Sequence, residues 1–104
     1  MPQPSLVQIV QDYYAFRGLT QPNAGQAFLF LTSEVGELAD AFVHDQAAWV
    51  RNNPDRERDV ESEVGDILMM LTVFAATQNV DPLDAMLKKM RRKGFDFPES
   101  DERE

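Results

Sequence analysis

Cysteine is absent from the 104 residues, which excludes disulfides and thiolate metal sites. Any bound metal must therefore be held by oxygen or by the single histidine, His44. Basic residues are scarce: 10 Lys and Arg stand against 18 Asp and Glu, for a formal net charge of −8. That balance argues against nucleic acid or an anionic membrane as partner, and an anionic ligand would need a bridging cation. No apolar run approaches the ~20 residues that span a bilayer, and the first residues show no basic stretch followed by an apolar one. A cytoplasmic protein is the expectation.

What is present is the composition of a soluble globular chain, with 43% hydrophobic and 27% charged residues. The length predicts one domain, over residues 1–98, with a core small enough that oligomerisation would help to complete it. The acidic tail, 99–104, contains no apolar residue and is expected to be disordered.

Periodicity predicts four helices. Leu6, Ile9, Val10, Tyr13 and Tyr14 recur at helical spacing behind Ser5 and Gln8, a capping-box pair, and Gly18 marks the end. A second, long helix runs from about Ala24 to about Arg51, with Phe28, Leu31, Val35, Leu38 and Phe42 as its expected core stripe. After a break at Asn52-Asn53-Pro54-Asp55, a third runs from about Glu57 to Thr77 on Val60, Val64, Ile67, Leu71 and Phe74. Asp81-Pro82 opens a fourth, which closes near Lys93 with Gly94 as its cap. The architecture expected is an all-α four-helix bundle in which the two long helices lie antiparallel.

Within those long helices one pattern occurs twice. Ser33-Glu34-Val35-Gly36-Glu37-Leu38 and Ser62-Glu63-Val64-Gly65-Asp66-Ile67 correspond position by position. Each places two carboxylates one helical turn apart on one face, where like charges cost about 0.2–0.5 kcal/mol unless a cation lies between them. The acids lie on rows beside the core stripes: Ala27, Phe30, Glu34, Glu37, Ala41 and Glu63, Asp66, Met70, Val73, Thr77. Residue counts from each pair to the intervening loop are about equal, so the two pairs should lie level. Four converging acids can hold one or two octahedral divalent ions, Mg²⁺, Mn²⁺ or Ca²⁺, with water and substrate phosphate completing the shell. Gly36 and Gly65 each cost roughly 1 kcal/mol in a helix relative to alanine, and close approach of the two helices is the expected reason for them. The competing reading is that i,i+3 acids are solvated surface, and it weakens when a second matched pair is present.

With its spacer of about 25 residues, this paired motif resembles the signature of the MazG-like superfamily of all-α nucleoside triphosphate pyrophosphohydrolases, which includes dimeric dUTPases, dCTPases and phosphoribosyl-ATP pyrophosphohydrolases. The resemblance runs from Gln26 to Lys93. It implies Mg²⁺-dependent cleavage between the α- and β-phosphates of a nucleoside triphosphate, giving monophosphate and pyrophosphate, in the removal of unwanted nucleotides. It also implies metal ligation by Glu34, Glu37, Glu63 and Asp66, with Mn²⁺ as a substitute ion. Glu37 is nominated as the general base, although the sequence does not separate it from Glu34. A homodimer or homotetramer is expected.

Half of the ten basic residues fall at Lys88, Lys89, Arg91, Arg92 and Lys93. They complement a helix dipole, and Lys89 or Lys93 is placed to reach a phosphate. Many relatives carry asparagine four residues after the lysine and then an arginine; here Lys93 and Asp96 stand at those places. Trp49 is a candidate for stacking on the base, as are His44, Tyr13, Tyr14 and Phe16, each with a packing role as the ordinary alternative. Two rivals remain: a di-iron carboxylate bundle, disfavoured because no histidine follows either acid motif at the required offset, and a non-catalytic acidic interaction module.

Overall fold

The computed structural model describes residues 4–43 and 60–96. Among them the chain forms four helices: α1 (Leu6–Arg17), α2 (Ala24–Val43), α3 (Val60–Thr77) and α4 (Pro82–Arg92). The far end of the second helix as read from sequence, the break at Asn52 to Asp55, the first residues of the third helix and the acidic tail all lie outside the described residues.

Five of the helix ends among the described residues have a local chemical cause. Ser5 caps α1 by accepting from the Gln8 N–H at 3.1 Å, while the Gln8 side chain donates to Asp12, so only half of the capping box forms. Gly18, at φ 67°, takes the left-handed conformation that closes α1. The full reciprocal box belongs to α2. Asn23 Oδ1 accepts from the Gln26 N–H at 2.8 Å, and Gln26 Oε1 accepts from the Asn23 N–H at 3.1 Å. Asn79, at φ 58°, turns the chain out of α3; Asp81 then caps α4, with Pro82 in its first turn.

The two long helices pack along their length, and their pairings fix the direction. Phe28 meets Phe74 edge to face at 5.6 Å, while Glu34 and Glu37 meet Glu63. Numbers rise along α2 as they fall along α3, so the pair is antiparallel. α3 also contacts α1 and α4, and α1 contacts α4. The core is small: Val10, Tyr14, Ala27 and Val73, with Met69, Met70 and Phe74 packed against it. No described helix is long and apolar enough to cross a membrane.

The buried faces are rotated from those expected. On α2 the buried residues are Ala27 and Ala41, members of the acid-bearing row, whereas Phe28, Val35 and Phe42 of the expected core stripe are 54%, 49% and 72% exposed. On α3 the buried side includes Val73, again from the acidic row, while Val64 is 51% exposed. Alanine at the seam lets the helix axes approach, with Leu31 and Leu38 of the expected stripe half-buried beside it. Gly36 and Gly65 do not mark that approach: no heavy atom beyond their own turns lies within 4 Å of where a Cβ would stand on either. The expected close backbone contact at these glycines is therefore not what the described protomer uses them for.

Candidate functional site

Because the seam runs through the acid-bearing rows, it carries the carboxylates toward one another. Glu34 lies one helical turn from Leu38 and two from Ala41 and Ala27, so it shares the face that meets α3 and is half-buried. Glu37 sits at the edge of that face and is exposed. On α3, Glu63 and Asp66 are half-buried, and Glu63 Oε2 is shielded from solvent. One carboxylate oxygen from each of Glu34, Glu37 and Glu63 lies within 4.8 Å of the other two. Asp66 stands outside that triple, yet its charge acts on Glu34.

The electrostatics of this cluster are those of excess negative charge in a partly enclosed place. Burial pushes the Glu34 carboxyl up to about 7, and a side-chain hydrogen bond with Glu37 together with the charges of Glu37, Asp66 and Glu63 push in the same direction. Near neutrality Glu34 is therefore shared between its protonated and ionised forms. A divalent cation relieves the same repulsion without a proton.

The donor set fits such an ion. All donors are carboxylate oxygens, the hard ligands that Mg²⁺, Mn²⁺ and Ca²⁺ take. Around Mg²⁺ at about 2.1 Å, ligand oxygens lie roughly 3–4 Å apart, so the triple needs only small side-chain adjustment to close on one ion. Glu37, being exposed, leaves the cluster open on one side for water and phosphate oxygens.

The other residues singled out from sequence are placed differently. Lys89 and Lys93 line an open cavity of about 340 Å³ with Met86, Met90 and Phe95. Its lining comes from α4 and the turn that follows, and includes none of the four acids. Lys88 pairs with Asp84 at 3.2 Å on the surface of the same helix. Tyr14 is a core residue, and its hydroxyl is pushed up by burial and by Tyr13. Tyr13 packs edge-on against Tyr14 and accepts a hydrogen bond from Arg17 at 2.8 Å, and Phe16 is 83% exposed. Trp49 and His44 lie outside the described residues.

What sequence reasoning missed is the inequality of Glu34 and Glu37. Both stand at equivalent motif positions, and only their angle to the α2–α3 seam separates a half-buried acid from an exposed one. The alanines at 27 and 41, seven residues on either side of Glu34, carried that signal.

Residues 25–94 match the family model of the MazG nucleotide pyrophosphohydrolase domain. All four acids, Lys89 and Lys93 fall inside that span, and α1 lies outside it. Among curated proteins and among solved structures nothing matches the chain.

Proposed function

The chain belongs to the MazG nucleotide pyrophosphohydrolase family, and from that premise we propose that it hydrolyses a nucleoside triphosphate between the α- and β-phosphates in a Mg²⁺-dependent reaction, releasing nucleoside monophosphate and pyrophosphate. The observation that carries this reading is the meeting of Glu34, Glu37 and Glu63 within 4.8 Å across the α2–α3 seam. Asp66 completes the acid set as a fourth ligand, and Mn²⁺ can replace Mg²⁺.

When bound, the divalent ion offsets charge on the phosphate oxygens and acidifies the attacking water. The protein does the rest. Glu34 and Glu63, half-buried on facing helices, fix the position of the polyphosphate. Glu37, exposed at the rim, takes the proton of the water that adds to the α-phosphorus as the bond to the bridging oxygen breaks. Lys89 and Lys93 offer positive charge to the leaving pyrophosphate, and Trp49 offers a surface for the base. The catalytic domain spans residues 1–98, and the protein acts in the cytoplasm as a homodimer or homotetramer. Removal of unwanted nucleotides is the role that suits such a reaction.

A second reading rests on one feature. Asp96 stands where relatives carry arginine, so the chain can be a non-catalytic acidic helical module, or can act on a narrower substrate such as phosphoribosyl-ATP. Incubation with a panel of ribo- and deoxyribonucleoside triphosphates in Mg²⁺, with products resolved by ion exchange and Glu63→Ala as control, decides between them. Monophosphate with pyrophosphate, lost in the control, is the expected result. Diphosphate with free phosphate overturns the assigned bond, and absence of turnover on the panel and on phosphoribosyl-ATP favours the module.

A further inference from the structure

Positive and negative charge are kept apart in this protein. Among the described residues, every charge that acts on Glu34 is a carboxylate, those of Glu37, Asp66 and Glu63. Half of the ten basic residues stand instead on α4 and at the residue that follows it. α4 touches α1 and α3 but not α2, the helix that carries Glu34 and Glu37, and none of its residues is buried. A polyphosphate seated at the acid cluster thus has no lysine of α4 beside it in the same protomer.

The cavity between those lysines is shaped for an apolar group. Met86, Met90 and Phe95 line it with the stems of Lys89 and Lys93, around about 340 Å³, which is ample for one aromatic ring. All five residues are exposed, and neither lysine has an ion-pair partner among the described residues.

The open edge of the acid cluster has the complementary form. Phe30 and Glu37 are both exposed, Phe30 by 50%, and they stand about 20° apart around α2 and about 10 Å apart along it. Of the exposed large apolar side chains on α2, Phe30 alone shares that edge. Phe28 turns to Phe74, while Leu29, Val35, Phe42 and Val43 lie at least about 80° around the helix from Glu37. An apolar ring beside carboxylates on α2 therefore faces an apolar cavity beside lysines on α4. The spacing agrees as well: Lys93 follows Met90 by one turn, as Glu34 follows Phe30 by one turn.

We infer that the α4 cavity of one copy receives Phe30 of a second copy, and that Lys89 and Lys93 thereby supply positive charge at the second copy's acid cluster. Phe30 is the aromatic anchor of the contact, and in a two-fold pair each copy lends its lysines and borrows the other's. The inference rests on the proposed hydrolysis and places its acids and its lysines on different chains.

Mixed oligomers of two defective chains test this. Glu63→Ala carries one affinity tag and the double variant Lys89→Ala/Lys93→Ala carries another; the chains are exchanged and the doubly tagged species is purified. With lysines acting across copies, one of its two sites joins intact acids to intact lysines, and about half of the unaltered protein's turnover returns. With lysines acting within their own chain each site keeps one defect, and a species that stays inactive overturns the inference while leaving the reaction in place. A double lysine variant fully active by itself, an active monomer of the unaltered protein in sedimentation velocity, or failure to form any doubly tagged species overturns it too. An unaltered protein without turnover overturns the hydrolysis instead, and the docking is then read by cross-linking, which the absence of cysteine makes clean. Phe30→Cys chains mixed with Met90→Cys chains and treated with a short bis-maleimide should give nearly all of the captured dimer as the mixed pair. Capture of like pairs in equal or greater amount, or no capture, overturns the docking.

Discussion

Asp81 Oδ1 accepts a hydrogen bond from the backbone N–H of Val7 at 2.8 Å, across 74 positions of sequence. Its second oxygen accepts from the Asp84 N–H at 3.3 Å. One carboxylate thus satisfies orphan donors in the first turns of two helices, α1 and α4, and ties together elements that otherwise touch lightly.

Replacing Asp81 by alanine removes the α4 cap, worth about 1 kcal/mol, and leaves the partly buried Val7 N–H without its acceptor, at about 1–3 kcal/mol. The expected loss is about 2–4 kcal/mol. At a slope of roughly 2 kcal/mol per molar urea, the unfolding midpoint of Asp81→Ala falls by about 1–2 M, and Asp81→Asn, which keeps one acceptor oxygen, loses less.

Mg²⁺ should stabilise the folded protein through the acid cluster. At about 100 times its dissociation constant a ligand adds about 2.7 kcal/mol, which for a domain of this size corresponds to a rise in Tm of roughly 10 °C or more. Differential scanning fluorimetry with and without Mg²⁺ reads the shift. Glu63→Gln should lose most of it, and Glu37→Gln should lower kcat by about 10²–10⁴-fold. A variant of either acid with unchanged metal response and turnover counts against the ligand set.

The metal-free protein should lose stability as pH rises from about 4.5 to about 7. Glu34 in the folded chain holds its proton up to about 7, whereas the unfolded chain releases it near the ordinary value. Between these limits the folded state binds more protons, so the unfolding free energy falls with rising pH and levels off above 7. Chemical denaturation in chelator at several pH values checks the sign, and Glu34→Gln should flatten the slope. With Mg²⁺ present, protons compete for the same oxygens, so its affinity should rise over that interval.

Ala27 is fully buried where α2 meets α3. Ala27→Leu forces extra volume into the seam, at about 1–3 kcal/mol, and displaces Glu34 two turns away, so both the melting temperature and the Mg²⁺ response should fall. Ala15→Leu, on an exposed position of α1, should alter stability by no more than about 0.5 kcal/mol.

The sequence carried the helices and the meeting of the acids because both depend on local spacing. Gly18, Asn79, Asp81 and Pro82 end or begin helices by their own backbone preferences, and Glu34, Glu37 and Glu63 meet because the acid-bearing rows of α2 and α3 face each other in an antiparallel pair. The choice of buried face was not legible in the same way. Hydrophobic periodicity weights Phe28, Val35 and Phe42 above Ala27 and Ala41, yet close helix pairing selects small residues at the seam. The largest apolar stripe is the natural choice of inside, yet on α2 only its leucines, Leu31 and Leu38, are half-buried, while Phe28, Val35 and Phe42 are exposed. The cost of a mid-helix glycine points to a close approach of α3 at Gly36, whereas open space surrounds the place of its Cβ.

The arrangement in which α3 touches every other described helix while α2 touches α3 alone has a temporal side. α1, α3 and α4 hold one another in a closed loop of contacts, whereas α2 joins them through α3, the most extensive helix pairing among the described residues, and through Ala27 in the shared core. An opening of that one seam would part Glu34 and Glu37 from Glu63 and Asp66. An ion bridging the acids would therefore oppose such opening by favouring the closed form. Slowed amide exchange along α2 on adding Mg²⁺ would be the mark of that bridge.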